Sequence, residues 1–307
     1  MKMLNSSLSQ DSDTVHSEKK YIFTAAEAEA SGIKWTDDPP APEKCKYCGA
    51  TLVYEGYAIF GTILRWKDMP VRCNCADAIS FWKKWDERKA QEAAEKAAIE
   101  AEKQRQALFE SRLKYSRMSR RLYGSTFENF TETEHNKVAK TAAISYCRGF
   151  NEHQKNGVGL FIAGTCGAGK THLASAIAIE LMREGHRVIM EPSVDILATV
   201  KRGYDCRSGT TEADEIQPYL QAELLIIDDL GKEQCTPWSA STLYRIINYR
   251  YSNMLPTIVT TNYDDTKLIH RLTPSGDDKS TAQAIMSRLY ESSLGISLYG
   301  RDMRQSQ

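Results

Sequence analysis

The chain contains no apolar run approaching the ~18 residues that would suggest a membrane span, and its first residues, MKMLNSSLSQDSD, lack the apolar stretch of an export signal. No charge of either sign is in excess, because 40 Lys and Arg stand against 40 Asp and Glu. Together these absences exclude a membrane-spanning, collagenous, wholly disordered or generally polybasic protein, and they make the cytoplasm the expected compartment. No internal repeat is visible. From Val71 to Tyr123 there is neither Gly nor Pro, so nothing in that stretch interrupts a helix. No His lies between Cys45 and Cys75, so any metal site there must be built from thiolates alone.

The length of 307 residues exceeds what one hydrophobic core usually serves, about 250–300 residues, and two units are expected. Composition divides the chain further. Residues 1–20 are polar, with little to bury, and read as a disordered tail. Residues 21–76 hold a Pro-rich connector, Asp37 to Pro42, followed by four closely placed cysteines. Residues 77–122 are rich in Ala, Glu, Lys, Gln and Arg, strong helix formers, and the spacing predicts a long helix over 77–114 that links two domains. Ile79, Trp82 and Trp85 share a face near its start. Between Lys103 and Arg121 seven basic residues face a single acid, Glu110. That segment reads either as a solvated helix face or as a contact for nucleic-acid phosphate.

From 123 to 307 apolar strands alternate with amphipathic helices. The strands fall at GLFIAG (159–164), VIM (188–190), LLIID (224–228), TIVTT (257–261) and ISLY (296–299). This order predicts an α/β domain with a mainly parallel sheet covered on both faces.

The most specific motif is Gly164-Thr165-Cys166-Gly167-Ala168-Gly169-Lys170-Thr171, followed by His172. It has the G-x-x-x-x-G-K-[ST] spacing. Its glycines let successive backbone N–H groups turn toward phosphate oxygens, and the helix that follows adds its positive end. Lys170 would bring a charge to the β- and γ-phosphates, and the Thr171 hydroxyl would reach Mg2+. Cys166, inside the loop, is either a reactive thiol or a passive position. The strand LLIID places Asp228 and Asp229 where ligands of parallel sheets gather. Asp228 would hold Mg2+, and Asp229 would orient or deprotonate an attacking water. Asn262, at the end of TIVTTN, could reach the γ-phosphate and that water. No guanine-reading N-K-x-D segment is present, so ATP is preferred over GTP.

Cys45-Lys-Tyr-Cys48-Gly49 has the form of a zinc knuckle, and Cys73-Asn-Cys75 returns after TLVYEGYAIFG…ILRW, which reads as a small hairpin. Four thiolates suit a closed structural Zn2+ site; unligated thiols or an iron–sulfur centre are the alternatives. Trp66, Phe81, Trp82 and Trp85 lie nearby and read either as the core of this module or as a surface it offers to a partner. The remaining cysteines, Cys147, Cys166, Cys206 and Cys235, are scattered and read as incidental.

The ordered set of phosphate loop, hhhhDD pair, TTN and MSRLYE (286–291) resembles the AAA+ ATPases. Within them it resembles the branch of DnaC-type and DnaI-type bacterial helicase loaders and IstB-like transposition ATPases. The entry segment RRLYGSTFENF (120–130), the DDLG at 228–231 and the closing YGRDMR (299–304) are also similar to that branch. The resemblance covers roughly 115–304 and implies an ATPase that loads a hexameric replicative helicase onto single-stranded DNA, with self-association through the ATPase domain. It implies that Arg288 is an arginine finger completing a neighbouring subunit's site, and that Arg304 senses nucleotide within its own subunit. It also implies a zinc-bearing N-terminal module that grips the helicase. Many AAA+ ATPases carry Glu where this chain has Asp229, which implies slower or more conditional hydrolysis. An IstB-like regulator of a transposase, or an adaptor that binds ATP without turning it over, are the other functions the same residues allow.

Overall fold

The computed structural model describes residues 21–203, 211–276 and 278–300. The chain divides into two compact units, with the division between Glu100 and Ala101.

The first unit opens with β1 (Ile22–Thr24), α1 (Ala25–Ala30), β2 (Lys34–Trp35), β3 (Glu43–Lys44), β4 (Thr51–Leu52), β5 (Glu55–Ile59) and β6 (Thr62–Trp66). A four-stranded sheet runs β1-β5-β6-β2, and β3 and β4 pair separately. The β5–β6 hairpin falls in the stretch that the sequence marks as one. Ala28, Ala58, Ile63 and Trp66 form a small buried core. Only glycine fits at Gly56, where a Cβ would sit 2.4 Å from the Ile63 side chain and 3.0 Å from Trp66. Trp66 donates its indole N–H to the Asp37 carbonyl at 2.9 Å, which meets the polar demand of a buried Trp.

A helix, α2, follows over Ala76–Tyr115. Its aromatic residues correct one expectation. Trp66 is in the core, but Phe81 is 45% exposed, Ile79 is 54% exposed, and Trp82 and Trp85 are half-buried. The rings stack edge-on instead, Phe81 on Trp82 at 5.2 Å and Trp82 on Trp85 at 5.6 Å. The Arg72 guanidinium lies 4.6 Å from the Trp82 ring and pairs with Asp86 at 2.7 Å. Spacing of i, i+3 correctly puts these residues on one face, but it does not say what covers that face. Here the rings and a cation cover one another.

The second unit contains α3 (Lys137–Arg148), α4 (Phe150–Lys155), β7 (Gly159–Gly164), α5 (Lys170–Glu184), β8 (Val188–Pro192), α6 (Ser193–Arg202), α7 (Glu212–Gln221), β9 (Leu224–Asp228), α8 (Pro237–Ser252), β10 (Thr257–Thr261), α9 (Asp265–Arg271), α10 (Ser280–Glu291) and β11 (Ser293–Leu298). The sheet order is β11-β7-β10-β9-β8, parallel throughout. Side chains alternate across it with the two-residue period of a strand. Leu160, Ile162, Leu224, Ile226 and Ile258 face one apolar layer with α3 and α5. Phe161, Leu225, Ile227 and Val259 face the other, with α6, α7, α8 and α10. Burial on both faces explains why the strands read as unbroken apolar runs. The last strand begins three residues earlier than its apolar run, at Ser293, because pairing with β7 continues through the exposed Leu294 and Gly295.

Among the described residues Arg250 is the largest fully buried side chain. Its guanidinium donates to the carbonyls of Tyr219 and Ala222 at 2.9 Å each, to Pro256 O at 2.7 Å, and to Thr257 Oγ1 at 3.0 Å. Burial pushes its pKa down to about 9. It ties the end of α7 to the start of β10 by satisfying backbone acceptors that have no other way to meet water. Arg250→Ala is expected to lower unfolding stability by about 3 kcal/mol, because it orphans several buried carbonyls at once. Urea denaturation measures this, and a loss under about 1 kcal/mol would show that the carbonyls find other donors.

Candidate functional site

Because β10 lies between β7 and β9, the C-terminal ends of these three strands come together. β7 runs into the phosphate loop. At Gly164 a Cβ would lie 1.7 Å from the Leu298 carbonyl, so the loop can leave the sheet only at glycine. Gly167 and Gly169 take the left-handed conformation, with φ of 75° and 95°, which costs glycine least. Lys170 opens α5 and is 5% exposed. Its Nζ donates to Gly164 O at 3.0 Å and Thr165 O at 2.7 Å. Burial lowers its pKa, while Asp229, Cys166 and Asp228 oppose that shift. Cys166 is exposed.

Thr171 donates its hydroxyl to both oxygens of Asp228, at 3.0 and 3.1 Å. Thr260 Oγ1 also donates to Asp228 Oδ1, at 2.5 Å. Asp228 is 6% exposed. Burial raises its pKa; the two threonine hydroxyls pull it down and the neighbouring Asp229 adds to the rise. Thr260 Oγ1 in turn accepts the backbone N–H of Asp229 at 2.8 Å. One hydroxyl thus fixes both members of the acid pair. Asp229 has a left-handed backbone, φ 56°, and its carboxylate accepts from Asn262 Nδ2 at 3.2 Å and Lys232 Nζ at 2.6 Å.

His172 places its Nε2 3.0 Å from Thr126 O and 3.1 Å from Asn129 Oδ1, with its ring edge-on to Phe130 at 5.3 Å. The entry segment therefore covers the first turn of α5. Thr171, Asp228, Asp229, Asn262 and the loop are thus gathered at one place. Arg288 is held elsewhere. Its guanidinium donates to Asn248 Oδ1 at 2.6 Å, Tyr244 OH at 3.1 Å and Ala284 O at 3.0 Å, over the faces of Tyr244 and Tyr251. Arg304 and Cys206 lie outside the described residues. No sequence motif marks Thr260 or Lys232; the doubled Thr of TIVTTN is the one trace of the former.

In the first unit the Sγ atoms of Cys45, Cys48, Cys73 and Cys75 all lie within 4.8 Å of one another. Cys45 and Cys75 are 3.9 Å apart, Cys48 and Cys73 3.4 Å. A tetrahedral site with Zn–S bonds of about 2.3 Å needs sulfurs about 3.8 Å apart, so the set fits zinc. The knuckle closes by Gly49 N–H donating to Cys45 O at 2.9 Å, with Gly49 at φ 73°. Backbone N–H groups of Cys48 and Tyr47 facing the Cys45 thiol lower its pKa to about 7; at Cys73 the backbone N–H of Cys75 lowers and the Cys48 side chain raises the thiol, leaving it up at about 12, so the fit to a metal rests on the sulfur spacing.

A parallel sheet in this order, a lysine-bearing phosphate loop and an acid pair on the neighbouring strand ends define the second unit as an AAA+ nucleotide-binding domain. The family model described as "IstB-like ATP binding protein" matches residues 79–307, and the chain belongs to that family. It is 25% identical over 214 residues to the "Replicative helicase loader DnaI" of Bacillus subtilis (strain 168), covering 68% of this chain and 66% of that protein. It is 31% identical over 139 residues to the "Replicative helicase loader DnaC" of Escherichia coli (strain K12), covering 45% and 55%. The chain thus spans between about half and two thirds of the curated relatives it matches. Among solved structures, a crystal structure of DnaI is similar with a TM-score of 0.50 and 26% identity, covering 61% of this chain and 94% of that one. Among the described residues no helix is long and apolar enough to cross a membrane.

Thr260→Val keeps the shape of the side chain but removes the donor to Asp228 and the acceptor for the Asp229 amide. A stability loss of about 1–3 kcal/mol is expected from these orphaned buried groups, with the sheet intact by circular dichroism. An unchanged denaturation midpoint would sink the claim that this hydroxyl organises the acid pair.

Proposed function

We propose that this chain is an ATP-dependent loader of a hexameric replicative DNA helicase onto single-stranded DNA. The observation that carries the reading is the joining, in one chain, of an AAA+ nucleotide site and a four-cysteine unit through a 40-residue helix, in a protein similar to proteins named as replicative helicase loaders. In this reading the first unit is the helicase grip, with Zn2+ as its structural cross-link, and the ATPase domain contacts single-stranded DNA.

The amides of Gly164–Thr171 and the Lys170 ammonium hold the ATP phosphates, and Lys170 exchanges its contacts to Gly164 O and Thr165 O for them. His172, which ties the start of α5 to the entry segment, would help shape the nucleotide site. Thr171 and Asp228 would hold Mg2+, which neutralises charge on the phosphates when bound. Asp229, oriented by Asn262 and Lys232, aligns the attacking water and accepts its proton. Arg288 leaves Tyr244 and Asn248 to stabilise transition-state charge in a neighbouring copy, a task suited to a planar, permanently charged group. Arg304 contributes to nucleotide sensing. Hydrolysis is then conditional on assembly, and ATP sets the state in which the helicase is held.

The family description also favours a second reading, an IstB-like ATPase serving a transposase. A pull-down with the full-length chain separates the two. The replicative helicase should be retained, with an ATP dependence that Lys170→Ala abolishes. Retention of a transposase and no helicase would replace the loader reading, and retention of neither would end both. Metal analysis is expected to find about one zinc per chain, as a closed site of four thiolates implies, lost in a Cys45→Ser, Cys48→Ser variant that still binds nucleotide. A folded, metal-free wild-type protein would overturn the zinc assignment.

A further inference from the structure

Two buried side-chain oxygens among the described residues have no hydrogen-bond partner, Ser293 Oγ and Glu233 Oε1. The second is the more demanding, since it belongs to a carboxylate that is 6% exposed. Burying a carboxylate is costly unless its oxygens are satisfied, and a half-satisfied one is not explained by stability alone. Glu233 lies four residues beyond Asp229. Its other oxygen, Oε2, accepts from Ser193 Oγ at 2.5 Å and from Gly231 N–H at 2.9 Å. Ser193 is fully buried at the start of α6, and its hydroxyl also lies 3.4 Å from the Asp229 carbonyl.

These contacts surround a turn that does not hold itself. Asp229 and Gly231 both have left-handed backbones, φ 56° and 93°, a conformation disfavoured for a residue with a side chain. One flank is held by β10. Thr260 Oγ1 accepts the Asp229 N–H, Thr260 O accepts the Leu230 N–H at 2.9 Å, and Thr261 Oγ1 donates to Leu230 O at 2.9 Å. The opposite flank is held by Glu233 with Ser193.

We propose that Glu233 is a positioning residue that clamps the Asp229–Gly231 turn and so fixes where the Asp229 carboxylate points. The proposal rests on the reading of Asp229 as the residue that aligns the attacking water. Without the clamp, Gly231 N–H and Ser193 Oγ lose their acceptor, and Asp229 relaxes toward an ordinary backbone conformation that swings its carboxylate away from Asn262.

The test uses the full-length chain with Glu233→Ala, Glu233→Gln and Asp229→Asn. Glu233→Ala is expected to lower kcat about ten- to hundredfold, as displacement of a catalytic group does, with KM and affinity for a fluorescent ATP analogue within about twofold. Amide hydrogen exchange at 229–231 should accelerate in the same variant. Glu233→Gln should restore both, because its carbonyl can accept from Ser193 and Gly231. Unchanged kcat and unchanged exchange in Glu233→Ala would overturn the proposal. So would a parallel fall in kcat, nucleotide affinity and melting temperature without rescue by Gln, which marks a merely structural role. Wild-type turnover in Asp229→Asn would instead refute the reading of Asp229, whatever Glu233 does. Exchange does not need turnover, so it decides the clamp even if the chain binds ATP without cleaving it.

Discussion

The placement of β10 between β7 and β9 is the constraint from which the site follows. Neither neighbour in sequence order would bring the phosphate loop and the acid pair to this spacing with a polar strand end between them. Parallel pairing aligns Thr260 with Ile162, while Asp228, the last residue of β9, lies one residue beyond the last β10–β9 pair and Asp229 follows it. The Thr260 hydroxyl can then donate to one acid and accept from the backbone of the next. A single buried hydroxyl with two partners on adjacent residues leaves little freedom to either.

Burial covers this sheet on both sides. Strands β7 to β10 present apolar side chains to both faces, while the edge strand β11 presents Ile296 and Leu298 to one, so the sheet needs helices above and below. The two apolar layers are of similar extent and share no helix. Arg250 belongs to the same economy of backbone groups. The end of α7 and the approach to β10 bring carbonyls of Tyr219, Ala222 and Pro256 together, and one guanidinium serves all three.

The strands and the acid pair were legible in the sequence because two-faced burial writes an unbroken apolar run, as in LLIIDD and TIVTTN. The phosphate loop was legible because its glycines are required by backbone clashes, seen at Gly164 against Leu298. The order of strands was not, since periodicity reports which residues are buried and not against what. The same limit misplaced Phe81, Trp82 and Trp85. Trp82 and Trp85 share a face, as the i, i+3 spacing implies, but Arg72 and the rings themselves cover it. Arg250 was invisible for a related reason, as an arginine in YRYSN looks like any solvated charge. Thr260, Lys232 and Glu233 act through hydrogen bonds to residues the motifs name, and no spacing rule marks such partners.

Asp229 illustrates how far local geometry conditions chemistry. A carboxylate one methylene shorter than Glu has less reach, so the backbone that carries it sets where it can act. The left-handed turn at Asp229 is held by β10 on one flank and, in the proposed clamp, by Glu233 on the other. In the proposed mechanism this makes the water-aligning group a property of the turn rather than of one side chain. Replacing Asp229 by Glu would then lengthen the side chain on a turn whose backbone stays where it is, and the longer carboxylate would be out of register with Asn262. A glutamate is therefore not a simple improvement at this position.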